Sequence, residues 1–525
     1  MFVREAARSM IADRNAFRQR LLTVVPLLVT IATTLYLYTV LRNSHPFVED
    51  YAVYLQQAWN IAHHVPMTDM GVIQYYDPNL PLLYFSPLTY PPLLPLLYAL
   101  PVAYFGFDLM LFKVIQLGLL AGGLFLFCYA MRRWRFSVVE ISVSILMFSF
   151  SYEVRRSVNS ISTDLPFILF LILGLLSIQK FIGERGRKLT IWGMIAGVTI
   201  FLAIDLRMVA VALLPTLLVA DVLAHRRLRL LSLVVPVSMV AVLQIGQSVI
   251  MHPDFSYGIV IHHRFFTPIE NAQQFYWSLF GPLAQSAFPG LAEAALLVLT
   301  ALAAIGVAFE AARGMVMALF IIAYTALLLV LPDLDSGARY LVPHLLVLGA
   351  FGVRGATLIA RLFDRGRGPR PVLPIGVAAI ALVWCVLVPS PRPAGAWDFG
   401  VMAAPARETF AFLRDHTPST AIIAATKYRS FHLFTQRTTI QIPTHHTAPE
   451  LTKWFSRYGV TAIVVKHSPA VWKYDFSDCP GLPLCRPDTL GPNVKEVFRN
   501  SDYMVFAVLP AAGTAPAPPL PSTPP

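Results

Sequence analysis

The chain has 525 residues, of which 56% are hydrophobic and only 13% charged, and its mean hydropathy is +0.62. Soluble domains carry about twice that share of charge, so a soluble globular protein is excluded and a polytopic helical membrane protein remains, since every backbone polar group in lipid must be satisfied internally. The net charge of +12 does not indicate nucleic acid, because the basic residues gather in short breaks between apolar runs, the positive-inside pattern.

The N-terminal basic stretch from Arg4 to Arg20 precedes an apolar run of roughly 20 residues, too long for a signal-peptide h-region and without a small-residue cleavage site. An uncleaved first span is therefore expected. Apolar runs near 21–41, 109–130, 136–152, 165–181, 189–204, 208–224, 229–251, 291–311, 315–331, 340–360 and 372–389 are the predicted spans. Basic groups test the orientation. They fall at Arg14–Arg20, Arg132–Arg135, Arg185–Lys188, Arg226–Arg229, Arg313 and Arg361–Arg370. All become cytoplasmic with about 11 spans, the N-terminus inside and the C-terminus outside, provided that 92–105 does not cross. That Pro/Gly-interrupted segment is expected to lie in the interface.

Three regions then face outward: 42–108, 252–290 and everything after about 391. The last changes character. Arg407–His416 and Ala448–Tyr458 read as helices, and Ala421–Ala425, Ala462–Val465 and Tyr503–Leu509 as strands, which predicts a small α/β domain. The expected division is a membrane domain over 1–390, an extracytoplasmic α/β domain over 391–509, and a disordered Pro/Ala-rich tail over 510–525. Cys128 and Cys385 lie in apolar runs and are expected to pack. Cys479 and Cys485 are expected to form a disulfide if their region is extracytoplasmic.

Acidic residues number only 29, so those at the mouths of spans stand out. Glu49 and Asp50 follow the first span. Asp50 can cap the helix predicted over Tyr51–Ala62; a partly desolvated carboxylate there can equally accept a proton from an attacking hydroxyl. Lys113, near the outer end of the second span, is expected to snorkel. Asp164, in Ser162-Thr163-Asp164-Leu165-Pro166, can cap the fourth span or join Glu49 and Asp50 at the same membrane face. Asp205 and Arg207 form either a mutually satisfied pair in a short hairpin or a contact for a lipid phosphate. His262, His263 and Arg264 sit among aromatic residues and suit an anionic headgroup, or pack on headgroups as interfacial residues do. Arg339 and Tyr340, opening the tenth span, fit the aromatic and basic belt. His63, His64, Asp69 and Asp77 lack a metal-ligand spacing.

Taken in order, these motifs resemble the GT-C superfamily of integral-membrane glycosyltransferases that use polyprenyl-phosphate-linked sugars, above all its protein O-mannosyltransferase and aminoarabinose-transferase-like branch. Glu49–Asp50 before Tyr54, Ala58 and Asn60 resembles the first-loop acidic motif. Tyr90-Pro91-Pro92-Leu93 followed by Phe105-Gly106 resembles the juxtamembrane helix, with Lys113 at the usual basic position. Thr163-Asp164-Leu165-Pro166 resembles the second-loop acid, and Arg339-Tyr340 with Pro343 the "RY…P" motif. Phe412-Leu413-Arg414 and the Tyr458–Val465 stretch resemble the bacterial extracytoplasmic domain.

The resemblance implies a mainly α protein: a GT-C-type transmembrane bundle with a small C-terminal α/β domain. It implies inverting transfer of a sugar, mannose or similar, from a polyprenyl-phosphate donor to a glycan, lipid or protein acceptor. Asp50 or Glu49 would be the base. Asp164, Arg339, Tyr340, Arg207, His262, His263, Arg264, Lys113 and Tyr90 would contact substrate. Membrane lipids are partners; nucleic acid is not. No cofactor is required, since Arg and His can stabilise a departing monophosphate, although the chemistry is compatible with a divalent metal. The expected place is a bacterial inner membrane. A transporter or flippase of lipid-linked sugars, and a non-catalytic membrane assembly protein, are the competing classes.

Overall fold

The computed structural model describes residues 24–47, 50–67, 69–73, 91–227, 229–251, 268–280, 288–330, 337–363, 375–379, 383, 400–443, 446–469, 477–479, 485 and 492–509. The chain divides into two compact units. One comprises Met1–Leu41, Lys113–Ile250 and Gly258–Arg392; the other comprises Arg42–Phe112, Met251–Tyr257 and Pro393–Pro525.

The first unit is helical, and the chain is a multi-pass membrane protein. Among the described residues seven helices are long and apolar enough to cross a membrane, and Val24–Thr39, Leu93–Phe105, Val138–Phe150 and Val316–Val330 are shorter apolar helices. Each apolar run read from the sequence up to residue 360 is a helix; of the run at 372–389 only 375–379 and 383 are described. The 92–105 segment is a helix of 13 residues containing Pro101, too short for the roughly 20 residues that a span needs.

Local signals set the helix starts. The Asp108 carboxylate accepts from the Met110 and Leu111 amides at 2.9 and 3.2 Å, filling donors that a helix N-terminus leaves unpaired. Ser137 and Glu140 form a reciprocal capping box at Val138–Phe150.

Helix Val342–Phe363 packs on two neighbours through small residues. A Cβ on Gly349 would sit 2.9 Å from Ser144 Cα, and one on Gly355 would collide with the Leu302 carbonyl oxygen. Helices associate this way in lipid, where burial of apolar surface supplies no drive. Ser144 Oγ donates to the Leu346 carbonyl at 2.6 Å, adding a polar tie. About 18 Å further along the helix from Val342, Arg354 bridges Glu140 at 2.7 Å and Glu310 at 2.9 Å. Its guanidinium lies 4.1 Å from the Phe136 ring centre. Charges at such depth persist because they pair.

The second unit carries a six-stranded sheet made of β1 (Val72–Ile73), β2 (Ile422–Ala425), β3 (Thr438–Gln441), β4 (Ala462–Lys466), β5 (Val494–Arg499) and β6 (Tyr503–Val508). Their order is β1-β3-β2-β4-β6-β5. The first four run parallel, while β6 pairs antiparallel with β4 and β5 with β6. Helices Ala404–His416, Tyr428–Thr435 and Ala448–Tyr458 accompany it, and Ile440, Leu451, Trp454, Phe455, Ile463 and Phe506 fill one core. The three strands and the helix Ala448–Tyr458 expected from the sequence are present within a residue, and the helix expected from Arg407 begins three residues earlier, at Ala404. β3, β5 and helix Tyr428–Thr435 were not foreseen.

The sequence reading assigned loop 42–108 to the membrane domain, whereas contacts group it with the C-terminal domain. The physical link is β1, whose Val72 and Ile73 pair with Thr439 and Ile440. Gly71, at φ +55°, permits the turn, and a side chain there would overlap the His432 ring. Cys479 and Cys485 form a disulfide, and Cys128 is buried and free. The tail 510–525 lies outside the described residues.

Two predictions follow from this packing. Gly355→Ala should lower the thermal unfolding midpoint of the detergent-purified protein, at a cost of about 1–3 kcal/mol for forced overpacking. Burial pushes the His432 imidazole below its usual range, so it is neutral when folded and takes up a proton on unfolding below about pH 6.5. Stability contributed by this site therefore falls as pH drops below about 6.5, and His432→Gln should flatten the pH dependence of the unfolding midpoint.

Candidate active site

Three helix starts in the membrane unit converge on one carboxylate. Asp164 is the first residue of helix Asp164–Gly183 and is 1% exposed. Its Oδ2 accepts from Ser162 Oγ at 3.0 Å and from Arg339 Nε at 2.9 Å. Its Oδ1 faces Arg207 Nη1 as an ion pair. Arg207 sits between helix Arg187–Ile204 and the short turn Met208–Ala212 in extended backbone, φ −147° and ψ 117°. Its Nη1 also reaches the Arg339 carbonyl at 3.4 Å, and the guanidinium lies 4.5 Å from the Tyr340 ring centre. Arg339 and Tyr340 occupy the turn Gly337–Leu341, and Tyr324 Oη donates to the Tyr340 carbonyl at 3.0 Å.

A second layer fixes Ser162. Gln116, fully buried on helix Leu109–Arg133, accepts from the Ser162 amide at 3.0 Å. It donates to the Ser157 and Ser160 carbonyls at 3.1 and 3.0 Å. The loop before Asp164 is thus clamped by both the oxygen and the nitrogen of one side-chain amide. Gln116 was not singled out from the sequence. With Lys113 it forms an i,i+3 polar pair on an otherwise apolar span, which is the signal that marks such residues.

Several expectations change. Asp205 is not the partner of Arg207: its Oδ1 accepts from Gln247 Nε2 at 2.5 Å, and Arg207 turns to Asp164. Lys113 does not snorkel, since it is 0% exposed. Thr163 occupies the cap position with no side-chain capping bond, so the role of Asp164 is to bind arginines rather than to cap by itself.

In the other unit Asp50 begins helix Asp50–Ala62. Arg429 Nη1 stands 3.7 Å from its Oδ1. Beside them Tyr51 Oη donates to Ser430 Oγ at 3.0 Å. His63 Nδ1 donates to the Trp59 carbonyl at 2.8 Å and its ring stacks on Trp59. Glu49, Asp77, Tyr90, His262, His263 and Arg264 lie outside the described residues. Among the described residues no group of three or more His, Cys, Asp or Glu is arranged to hold a metal ion. Asp164 is unsuited to that task, because each of its oxygens already faces a guanidinium.

A buried carboxylate gripping two arginines is an orienting device. It costs desolvation, and it leaves two planar forks, matched to carboxylate and phosphate oxygens, fixed at helix starts.

No protein-family description matches the chain, and neither does any curated protein. Solved structures do. A crystal structure of ArnT from Cupriavidus metallidurans bound to undecaprenyl phosphate aligns with a TM-score of 0.54 over 94% of this chain and 99% of that one, at 14% identity. The chain shares the ArnT fold. The apo form of the same ArnT aligns at a TM-score of 0.55 over 91% and 97% of the two chains, again at 14% identity. The arabinofuranosyltransferase AftD from Mycobacteria aligns at 0.52 over 93% of this chain and 41% of its own length, with 11% identity. The fold found is that of ArnT, matched nearly end to end.

The Asp164 cluster yields a coupling prediction. Asp164→Asn removes the counter-charge of buried Arg207 and half-buried Arg339, and removing one partner of a buried pair costs about 3–5 kcal/mol. Arg339→Gln combined with Asp164→Asn should destabilise by clearly less than the sum of the two single changes, as read from thermal unfolding in detergent.

Proposed function

We propose that the chain is a membrane glycosyltransferase that moves a sugar from a polyprenyl-phosphate carrier to an acceptor hydroxyl on the non-cytoplasmic face of a bacterial inner membrane. The observation that carries this reading is the clamp of Arg207 and Arg339 on Asp164, inside a fold shared with ArnT, which has been solved bound to undecaprenyl phosphate.

The reaction is a displacement at the anomeric carbon with inversion. The acceptor oxygen forms the new bond to that carbon as a carboxylate removes its proton. The bond from the anomeric carbon to the phosphate oxygen breaks, and its electron pair stays on the phosphate, which leaves as polyprenyl monophosphate with one more negative charge. Asp50 is the assigned base, with Glu49 the alternative. Arg207 and Arg339 are assigned to the growing phosphate charge. Preorganised donors of this kind contribute about 3–4 kcal/mol each elsewhere. Tyr340 supports the Arg207 plane, and Lys113, Tyr90, His262, His263 and Arg264 are further substrate contacts under the same reading. The chemistry balances without a metal, and a divalent ion is compatible with it.

Mannose or a related hexose or pentose is the proposed cargo. The acceptor is a glycan, lipid or protein side chain bearing a hydroxyl. The test uses membrane vesicles from cells deleted for the gene, with their lipid-linked sugars metabolically labelled. Wild-type protein reconstituted into them should transfer label to an acceptor, and Asp50→Asn should transfer it about 100- to 10,000-fold more slowly, the range for a general base. Near-normal transfer by folded Asp50→Asn protein would remove Asp50 from the role.

A further inference from the structure

The geometry points to Arg429 as the positioning residue for Asp50, so that the C-terminal domain holds the catalytic carboxylate in place. This rests on the reading of Asp50 as the base. Arg429 is the second residue of helix Tyr428–Thr435, which begins shortly after β2 ends at Ala425. β2 runs between β3 and β4 in the interior of the sheet, and Ala424 and Ala425 are fully buried. The guanidinium is therefore carried on a rigid element, as a site that demands precise geometry requires.

Its orientation is set locally. Arg429 Nε donates to Tyr428 Oη at 3.0 Å, and the guanidinium carbon lies 5.5 Å from the Tyr428 ring centre. Tyr428 is 1% exposed, so the ring is a fixed support. With Nε held, Nη1 is presented to Asp50 Oδ1 at 3.7 Å. That exceeds hydrogen-bond length, and the attraction is Coulombic. It acts on the carboxylate through charge.

The adjacent contact is neutral and anchors the same two helices. Tyr51 Oη donates to Ser430 Oγ, with both residues fully buried. Residues 50 and 51 are thus latched to residues 429 and 430, one rung ionic and one rung a hydroxyl pair. Asp50 needs such a latch. It is the first residue of its helix, its side chain is 28% exposed, and a base must meet its proton donor at about 2.6–3.2 Å. A small misplacement at that point can cost roughly 100-fold in rate.

The labelled vesicles separate this role from a structural one. Full-length Arg429→Gln should transfer sugar about 10- to 100-fold more slowly than wild type. Arg429→Lys should recover most of that loss, because a cation returns to the same place. Ser430→Ala, which removes the neutral rung, should stay within about threefold of wild type, as a lost hydrogen bond of ordinary strength allows. Wild-type rates for Arg429→Gln, with Asp50→Asn inactive, would overturn the positioning role and leave the base intact. Equal losses in Ser430→Ala and Arg429→Gln, or no recovery in Arg429→Lys, would overturn it as well, since helix docking alone would then explain the effect. An active Asp50→Asn would instead sink the assignment of the base and this inference with it.

Discussion

The membrane unit depends on one buried carboxylate. Asp164 draws together side chains from Asp164–Gly183, from the hairpin after Ile204 and from the turn before Val342. Removing charges from water is costly, so burying these segments together favours the arrangement in which the guanidiniums meet the acid. Ser162 and Gln116 then fix the acid itself. Elsewhere in the same bundle the ratio is reversed, with Arg354 held by two acids, Glu140 and Glu310. Two arginines on one acid and two acids on one arginine are both ways of placing charge among apolar helices, but only the first presents cationic forks. That asymmetry argues for anion chemistry at the Asp164 cluster and for a structural tie at the other.

Much of this was legible in the sequence, and the failures have physical causes. Spans were readable because lipid tolerates only long apolar runs, and basic breaks punctuate them. Asp164 and Arg339 were readable because acids and arginines at span mouths are rare in a chain this apolar. The partner of Arg207 was not. Asp205 lies two residues away and looks like its natural mate, but extended backbone at Arg207 sends the two side chains apart. Asp205 finds Gln247 on another helix, and Arg207 finds Asp164. Lys113 shows the limit of a rule based on position alone: an amphipathic stem near a span end snorkels only when that end is exposed, and here its surroundings are packed.

In the C-terminal domain helices Ala404–His416 and Ala448–Tyr458 and strands β2, β4 and β6 announced themselves by hydrophobic pattern. β3 is Thr438-Thr439-Ile440-Gln441, with a single large apolar residue, and its place comes from β2 and β1 on either side. β5 carries Lys495, Glu496 and Arg499, charges that suit a sheet edge and blunt it against unwanted pairing. β1 is two residues long and belongs to a loop far away in sequence, so no local pattern could reveal it. Arg429 likewise meets Asp50 from a helix far away in sequence, a juxtaposition that no local motif announces.

If the arginine clamp is a seat for a lipid phosphate, the protein must distinguish that group from the lipid that bears it. The direct measurement is native mass spectrometry of the purified protein with polyprenyl monophosphate and, separately, with the uncharged polyprenol of equal length. The account predicts that the phosphate lipid is retained, that the alcohol is not, and that Arg339→Gln weakens retention of the former. Equal retention of both lipids by the wild-type protein would contradict it.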